Sequence, residues 1–549
     1  MSLRSFLIIV ILGSLLFIPF LDWVHLFDWD EINFAESARE MLVTGNYSRV
    51  QINFQPFWEK PPLFIWLQAG SMWIFGVNEF AARLPNALAG ILTLLILYYI
   101  GFRQIDRPFA RLWVLCYIGS LLPFFYFKSG IIDPLFNLFI FLGIFQFSRL
   151  TNLKNTLESR RLGISALAGL FIGLAILTKG PVAMLDAILC LLMFWIINRF
   201  RPFLRFQYLF LFFLVSGLVS CIWFLPETIA NGPWFIQTFI EYQIRLFTTG
   251  DAGHGQPFWY HWVVLLIGVF PASIFIFPAF KNELSDKYEA RNMRLWFTIL
   301  LLVHLILFSI VKTKIVHYSS LCYFPITYLA AYTLHKILNR GVKFNQAGLW
   351  IPMLFLGFIL TLAFTAIPLV GMNINWIKPL LHDEYSLAAI QVSVPFYWYH
   401  FIPGCLFFLV LLVSSVLLFQ SRTRYVGVHV LLLGMAGVYF TTMLLIPERI
   451  EKFSQAAAVN FIEIQSKKED CYIEVIGYKS YAQYFYSNKQ ASADSIQPDV
   501  YTLLSKPLSK PLYVITKVNR LEDVKKNHPN LKVLGSKAGF VFLQKVEKN

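Results

Sequence analysis

Asp28-Trp-Asp-Glu-Ile-Asn-Phe-Ala-Glu-Ser-Ala-Arg-Glu-Met-Leu42 follows the first apolar segment, residues 5–21, almost at once. That order places Asp30 and Glu31 at a membrane–water boundary. Two adjacent carboxylates resist burial there, because a charge in hydrocarbon costs several kcal/mol. A local explanation is available, since acidic residues at a helix start interact favourably with the helix dipole. The alternative is a functional pair facing the outer side of a membrane. The rest of the chain decides between them.

The chain has 549 residues, of which 57% are hydrophobic and only 14% charged. Globular proteins are about 25% charged, so this composition is that of a polytopic membrane protein. The first segment starts Met1-Ser-Leu-Arg4 and stays apolar to Leu21. It has no convincing small-x-small cleavage site, so it reads as a retained helix and not a signal peptide. The net charge of +15 is no nucleic-acid signature, because much of it lies in short loops that alternate along the chain. Five of the six cysteines lie in apolar segments and only Cys471 in the polar tail, with no CxxC or metal-type spacing.

A bilayer-crossing helix needs about 20 apolar residues. About thirteen stretches qualify, centred near 13, 90, 118, 140, 170, 190, 215, 268, 302, 328, 359, 410 and 435. Basic residues orient them. Arg103, Arg107 and Arg111 share one loop, and Arg149, Arg160 and Arg161 the next but one. The alternation continues through Arg199, Arg201 and Arg205 to Arg422 and Arg424. Such loops stay cytoplasmic, so the N-terminus is expected inside and, after thirteen spans, the C-terminus outside. The expected division is a transmembrane domain, 1–447, and a small extracytoplasmic α/β domain, 448–549. Within the second, Cys471–Tyr478 and Leu512–Lys517 read as strands. Phe461–Gln465, Tyr481–Tyr486 and Leu521–Asn527 read as helices, and Leu531–Gln544 as a hairpin around Gly535–Gly539.

The outer loops, 22–79, 225–257 and 371–397, are long, and long loops carry function more often than short turns. Several polar residues gather there or at outer helix ends. Asp30 and Glu31 open the first loop. Glu59 and Lys60 sit in Phe57-Trp-Glu-Lys-Pro-Pro62, where two prolines impose a stiff, extended stretch. Asp133 lies in Ile132-Asp-Pro134, Lys179 in Thr178-Lys-Gly180, and Arg245 and His254 in the second outer loop. Lys312, Lys314, His317 and Tyr318 precede the tenth stretch. Each has an ordinary reading. Lysines at helix ends snorkel, Asp-Pro starts helices, tyrosines line membrane interfaces, and a histidine between two glycines suits a loop. Together they collect carboxylates and cations on one face. Lysine and arginine at a bilayer edge suit a lipid phosphate, and carboxylates beside them suit a general base, a metal, or contacts to sugar hydroxyls.

These stretches resemble the GT-C superfamily of integral-membrane glycosyltransferases. Within it they look most like the bacterial lipid A aminoarabinose transferases, related to the protein O-mannosyltransferases. The match is carried by residues 30–42, Glu59-Lys-Pro61, Ile132-Asp-Pro134, Thr178-Lys-Gly180, His254 with Pro257-Phe-Trp-Tyr260, and Lys312 to Lys314 with Tyr318. The resemblance implies an all-α GT-C fold of about thirteen spans with an added outer domain. It implies transfer of a sugar, 4-amino-4-deoxy-L-arabinose in the nearest subgroup, from a polyprenyl-phosphate donor to a lipid A-type or other extracytoplasmic acceptor. The setting it implies is a bacterial inner membrane with the site facing the periplasm. By resemblance Asp30, Asp133 and Glu31 are catalytic, and Lys60, Arg245, Lys312 and Lys314 bind the donor phosphate. Tyr318 and Lys179 contact substrate, and Glu59 with His254 stands at a zinc-type metal position. Partners are then the donor lipid, a lipid or protein acceptor and the membrane, with no nucleic acid. Two alternatives stay open: O-mannosyl-type transfer to Ser or Thr, and a transporter or flippase of lipid-linked sugars.

Overall fold

The computed structural model describes residues 2–152, 157–250, 255–280, 288–339, 346–491 and 499–546. All thirteen expected centres fall within helices. Among the described residues, eight helices are long and apolar enough to cross a membrane, or nine if the bent pair Tyr260–Gly268 and Ala272–Phe280 is one span. The count of thirteen therefore does not carry over, and the reason is local. The centre near 118 lies in a helix of 12 residues that ends at Gly119, and the one near 268 turns through 109° around Pro271. Leu3–Phe17 and Val182–Ile197 are apolar but short.

Aromatic side chains fill the bundle. Trp113 lies within 5.1–6.1 Å of Tyr328, Phe141, Phe297 and Phe109. Small residues set helix spacing where it bears on the site. A side chain at Gly169 would meet the Phe212 carbonyl at 2.5 Å, and one at Gly173 would meet Val219 at 2.7 Å. Two glycines four apart let helix Glu158–Lys179 lie against Phe206–Asn231. That contact fixes the helix whose last residue is Lys179.

The segment that follows the first helix is structured. Helix Asp30–Thr44 carries Asp30 and Glu31 in its first turn and ends at Gly45, whose φ of +68° suits the left-handed cap. A tight hairpin follows, β1 (Gln51–Ile52) with β2 (Gln55–Pro56), its turn made by Asn53 and Phe54 at φ 56° and 58°. Glu40 accepts the Phe54 N–H at 2.8 Å and anchors that turn to the helix. Glu59 and Lys60 lie on the stretch leaving it.

Near the C-terminus, β3 (Tyr472–Val475), β4 (Leu512–Lys517), β5 (Leu531–Lys537) and β6 (Phe540–Lys545) form one sheet in the order β3-β4-β6-β5. β3 and β4 are parallel and joined through helices, while β5 and β6 make a hairpin. Residues alternate between faces. Tyr513, Ile515, Phe540 and Phe542 join one apolar cluster, and Leu512, Val514, Val541 and Leu543 the other. The expected strands and helices of this region fall on these elements within a few residues. The segment packs on the outer loop: His25 Nδ1 meets Glu451 at 2.7 Å, the Leu26 N–H donates to Tyr486 at 2.7 Å, and Trp29 stacks on Tyr481.

Candidate active site

The motif that opens the chain divides by helix face. Glu31 is buried, and both its oxygens are engaged. Arg83, from helix Glu79–Gln104, reaches them at 2.7 and 3.0 Å, and the N–H groups of Phe27 and Gly130 donate as well. Arg83 spends its remaining donors on the carbonyls of Leu21, Val24 and His25 at 2.7–2.9 Å. All five guanidinium N–H groups are thus used. Burial pushes the Glu31 carboxyl up, and Arg83 more than offsets it, so Glu31 is held below its ordinary value. A turn later, Glu36 and Arg39 form a buried bidentate pair at 2.7 Å, and Arg39 also donates to the Lys489 carbonyl. Glu31, Glu36 and Arg39 are therefore anchors. They hold helix Asp30–Thr44 to the bundle on one side and to the C-terminal segment on the other.

Asp30 is left facing a cavity of about 730 Å³. The cavity also takes Glu31, Glu59, Lys60, Asp133, Lys179, Arg245 and Tyr318, so eight of the sequence-derived residues share one space. Asp133, first residue of helix Asp133–Asn152, pairs with Lys179 at 2.5 Å. The Lys179 ammonium lies 4.9 Å from the Tyr318 ring. Lys60 and Arg245 both stand over Tyr242, each 5.2 Å from its ring centre. One ring thus gathers two cations at the wall.

Lys312 and Lys314 do not line the cavity; Thr313 and Ile315 do. The segment runs extended, with Thr313 bridged to Gly255, so alternate residues face opposite ways. Lys314 is buried and donates to the Val311 carbonyl at 2.6 Å. His254 lies outside the described residues. Among those described, no three His, Cys, Asp or Glu side chains converge as a metal site. Glu59 stands on the cavity wall.

Tyr242, Lys479 and His317 also line the cavity, and the resemblance gave none of them a role. Tyr242 lies one helical turn before Arg245. Lys479 comes from the C-terminal segment, 4.2 Å from the Trp29 ring. His317 sits between the two aspartates, its Nε2 3.5 Å from Asp30 and 3.9 Å from Asp133.

An apolar groove of about 330 Å³ shares Lys60, Lys179, Leu246 and Tyr318 with the cavity, and continues along Val182, Leu185, Phe247, Leu307 and Phe308. A polar chamber thus opens onto an apolar trough, with cations at the junction.

The family model of dolichyl-phosphate-mannose-protein mannosyltransferases matches residues 59–226. Two undecaprenyl phosphate-α-4-amino-4-deoxy-L-arabinose arabinosyl transferases are each 26% identical. One, from Pectobacterium carotovorum, aligns over 75% of this chain and 76% of its own; the other, from Pectobacterium atrosepticum, over 74% and 75%. The crystal structure of ArnT from Cupriavidus metallidurans bound to undecaprenyl phosphate superposes with a TM-score of 0.79 at 18% identity. It covers 100% of this chain and 99% of its own. The chain is a multi-pass membrane protein that shares the fold of ArnT and is similar in sequence to aminoarabinose transferases over three quarters of its length.

Proposed function

We propose that the chain is a glycosyltransferase that moves a sugar from a polyprenyl-phosphate donor to an acceptor on the outer face of the bacterial inner membrane. The observation that carries this reading is the junction of the polar cavity with the apolar groove at Lys60, Lys179 and Tyr318. A ligand with a charged head and a long apolar tail fits that shape, and a polyprenyl phosphate has both. The relatives' names supply 4-amino-4-deoxy-L-arabinose as the first sugar to test, and a lipid A-type glycolipid is the first acceptor.

Each side chain has a part. Lys60 and Arg245 meet the donor phosphate. When the sugar–phosphate bond breaks, positive charge develops at the anomeric carbon and negative charge on the phosphate. Cations already fixed in a low-dielectric site stabilise that leaving group without reorganising. Asp133, neutralised by Lys179, and Tyr318 line the sugar's space. Asp30, whose side chain is 33% exposed, faces the acceptor. Glu31 keeps Asp30 in place through Arg83.

A transporter of lipid-linked sugars needs a path across the bilayer, with sites near the midplane. The second large polar cavity is lined by Arg4, Arg107, Arg111, Tyr425 and others, and among the described residues it shares no lining residue with the first. That separation favours an enzyme. The test is mass spectrometry of outer glycolipids and glycoproteins from cells with and without the gene. Loss of one sugar modification supports transfer. Unchanged products with altered levels of the lipid-linked sugar itself point to transport.

A further inference from the structure

Three helices start around the cavity at Arg4, and each lines it in the same order. Helix Leu3–Phe17 presents Arg4, Ile8 and Leu12. Helix Arg107–Ile118 presents Arg107, Arg111 and Leu115, and helix Arg424–Leu445 presents Tyr425, His429 and Leu433. Residues four apart share a helix face. Each helix therefore offers polar or charged groups near its start and an aliphatic side chain further along. Ile8 is 54% exposed and Leu433 45%, and on an apolar bundle such faces meet lipid. The cavity, about 640 Å³, is thus charged at one end and apolar along its wall.

Among the described residues no carboxylate lines this cavity, and none of its three arginines has a carboxylate partner. Asp106, next to Arg107 in the chain, is engaged elsewhere: it accepts the Phe109 N–H at 2.8 Å and lies 2.9 Å from His335 Nε2. Hydroxyls stand beside the arginines instead. Buried Tyr98 donates to Ser5 at 3.0 Å, and Ser2 Oγ lies 3.0 Å from Ser5 Oγ. Orientation in a membrane explains basic residues at one end of a bundle. It does not call for three arginines around one cavity, because a basic residue anywhere in the loops at that end serves equally. Cations sharing one space repel, and an anion between them relieves the repulsion. Guanidinium groups match phosphate oxygens two at a time, and basic pockets between membrane helices suit anionic headgroups. A free phosphate answers the charge but leaves Ile8, Leu12 and Leu433 uncovered; a phospholipid answers both.

We infer that this cavity binds an anionic phospholipid of the leaflet farther from Asp30. Its phosphate is held by Arg4, Arg107 and Arg111, and an acyl chain lies along Ile8, Leu12 and Leu433. The site is separate from the Asp30 cavity. Among the described residues the two share no lining residue. They stand at opposite ends of helix Leu3–Phe17, whose 15 residues span about 22 Å. The inference goes beyond the glycosyl-transfer reading and does not rest on it.

The test uses the full-length protein in mild detergent, titrated with phosphatidylglycerol and with phosphatidylcholine of the same acyl chains. Native mass spectrometry counts the bound lipid. The wild type is expected to retain phosphatidylglycerol in preference to phosphatidylcholine. Arg107→Gln with Arg111→Gln is expected to weaken phosphatidylglycerol about 25-fold, roughly fivefold for each arginine near a lipid phosphate, with phosphatidylcholine unaffected. Ser5→Asp sets a carboxylate beside Arg4 at a helix start, where it is well tolerated. It is expected to weaken phosphatidylglycerol while keeping the melting temperature, which separates lost binding from lost folding. Phosphatidylglycerol with a photoreactive acyl chain is expected to label peptides from Leu3–Phe17 and Arg424–Leu445. Equal retention of the two lipids by the wild type overturns the inference. So does unchanged phosphatidylglycerol affinity in both variants, or label confined to other helices. Full displacement of phosphatidylglycerol by millimolar inorganic phosphate overturns it as well, since the occupant is then a soluble anion.

Discussion

Two polar cavities of similar size lie at opposite ends of helices Leu3–Phe17 and Glu79–Gln104. The one at Asp30, about 730 Å³, is lined by four carboxylates, four Lys or Arg side chains and a histidine; the one at Arg4, about 640 Å³, has Arg4, Arg107, Arg111 and His429 and, among the described residues, no carboxylate in its wall. Volume and basic charge therefore do not distinguish them. Opposed charges at short range do. An excess of arginine at one end is what orientation in a membrane requires. Carboxylates held beside cations at the other end have no such explanation, and group transfer needs both signs.

The contrast is broken most severely at Asp30. Asp30→Asn keeps the shape and removes the charge at a partly solvated position. Transfer is expected to fall about a hundredfold or more, with expression and undecaprenyl phosphate binding intact. Kinetic assay with a parallel lipid-binding measurement checks this.

A different kind of loss is expected at Arg83. Removing it leaves Glu31 buried and uncompensated, a change that costs about 3–5 kcal/mol. Arg83→Ala is expected to lower the melting temperature strongly, and adding Glu31→Gln to recover part of the loss. Equal melting curves for the single and double variants would mean that Glu31 is not the residue Arg83 serves.

If Lys60 meets the donor phosphate as proposed, Lys60→Ala removes that contact without unpacking the bundle. A charge-assisted hydrogen bond is worth about 1.5–3 kcal/mol, so donor affinity is expected to drop about ten- to hundredfold. Titration with undecaprenyl phosphate reads this directly.

Glu40 gives a smaller effect with a defined sign. Burial, with Glu36 close by, pushes its carboxyl up from 4.5 to about 9. The folded chain then holds this proton more tightly than the unfolded one, so stability is lost as pH rises from about 4.5 towards 9. Gln imitates the protonated form and still accepts the Phe54 N–H. Glu40→Gln is expected to raise the melting temperature at pH 8 and to leave it nearly unchanged at pH 4.5. The opposite order would show that Glu40 is ionised in the fold.

The cavity at Arg4 supplies the smallest effect. Arg107→Ala with Arg111→Ala is expected to keep transfer within about twofold, since surface charges away from a site rarely matter more. A large loss would mean that the cavity at Arg4 also serves the reaction.

The comparison also shows what a sequence discloses. Asp30, Lys60, Asp133, Lys179, Arg245 and Tyr318 stood out because each is a polar residue at the edge of an apolar stretch, and there the cost of burying charge makes polarity informative. The helices were legible from the same contrast, though not their lengths, because Gly119 and Pro271 interrupt runs that stay apolar on both sides. Residues whose role depends on distant partners were not legible. Glu31 reads like Asp30 until Arg83, 52 positions later, is seen to hold it. Lys479 is one lysine among many in a polar tail, and only the fold carries it to Trp29. Lys312 and Lys314 looked equivalent to Lys60, but strand alternation turns them off the wall. His317 was visible beside Tyr318, yet nothing in the order of residues says that two aspartates meet it.

The central claim is tested most directly by incubating the purified wild-type protein in nanodiscs with undecaprenyl phosphate carrying a radiolabelled sugar and a lipid A-type acceptor. The label on the acceptor and the undecaprenyl phosphate released are followed together. Equal amounts of labelled glycolipid and free undecaprenyl phosphate, both absent with Asp30→Asn, are the predicted result. Movement of the intact labelled donor from one leaflet to the other, with no label on the acceptor, would contradict it.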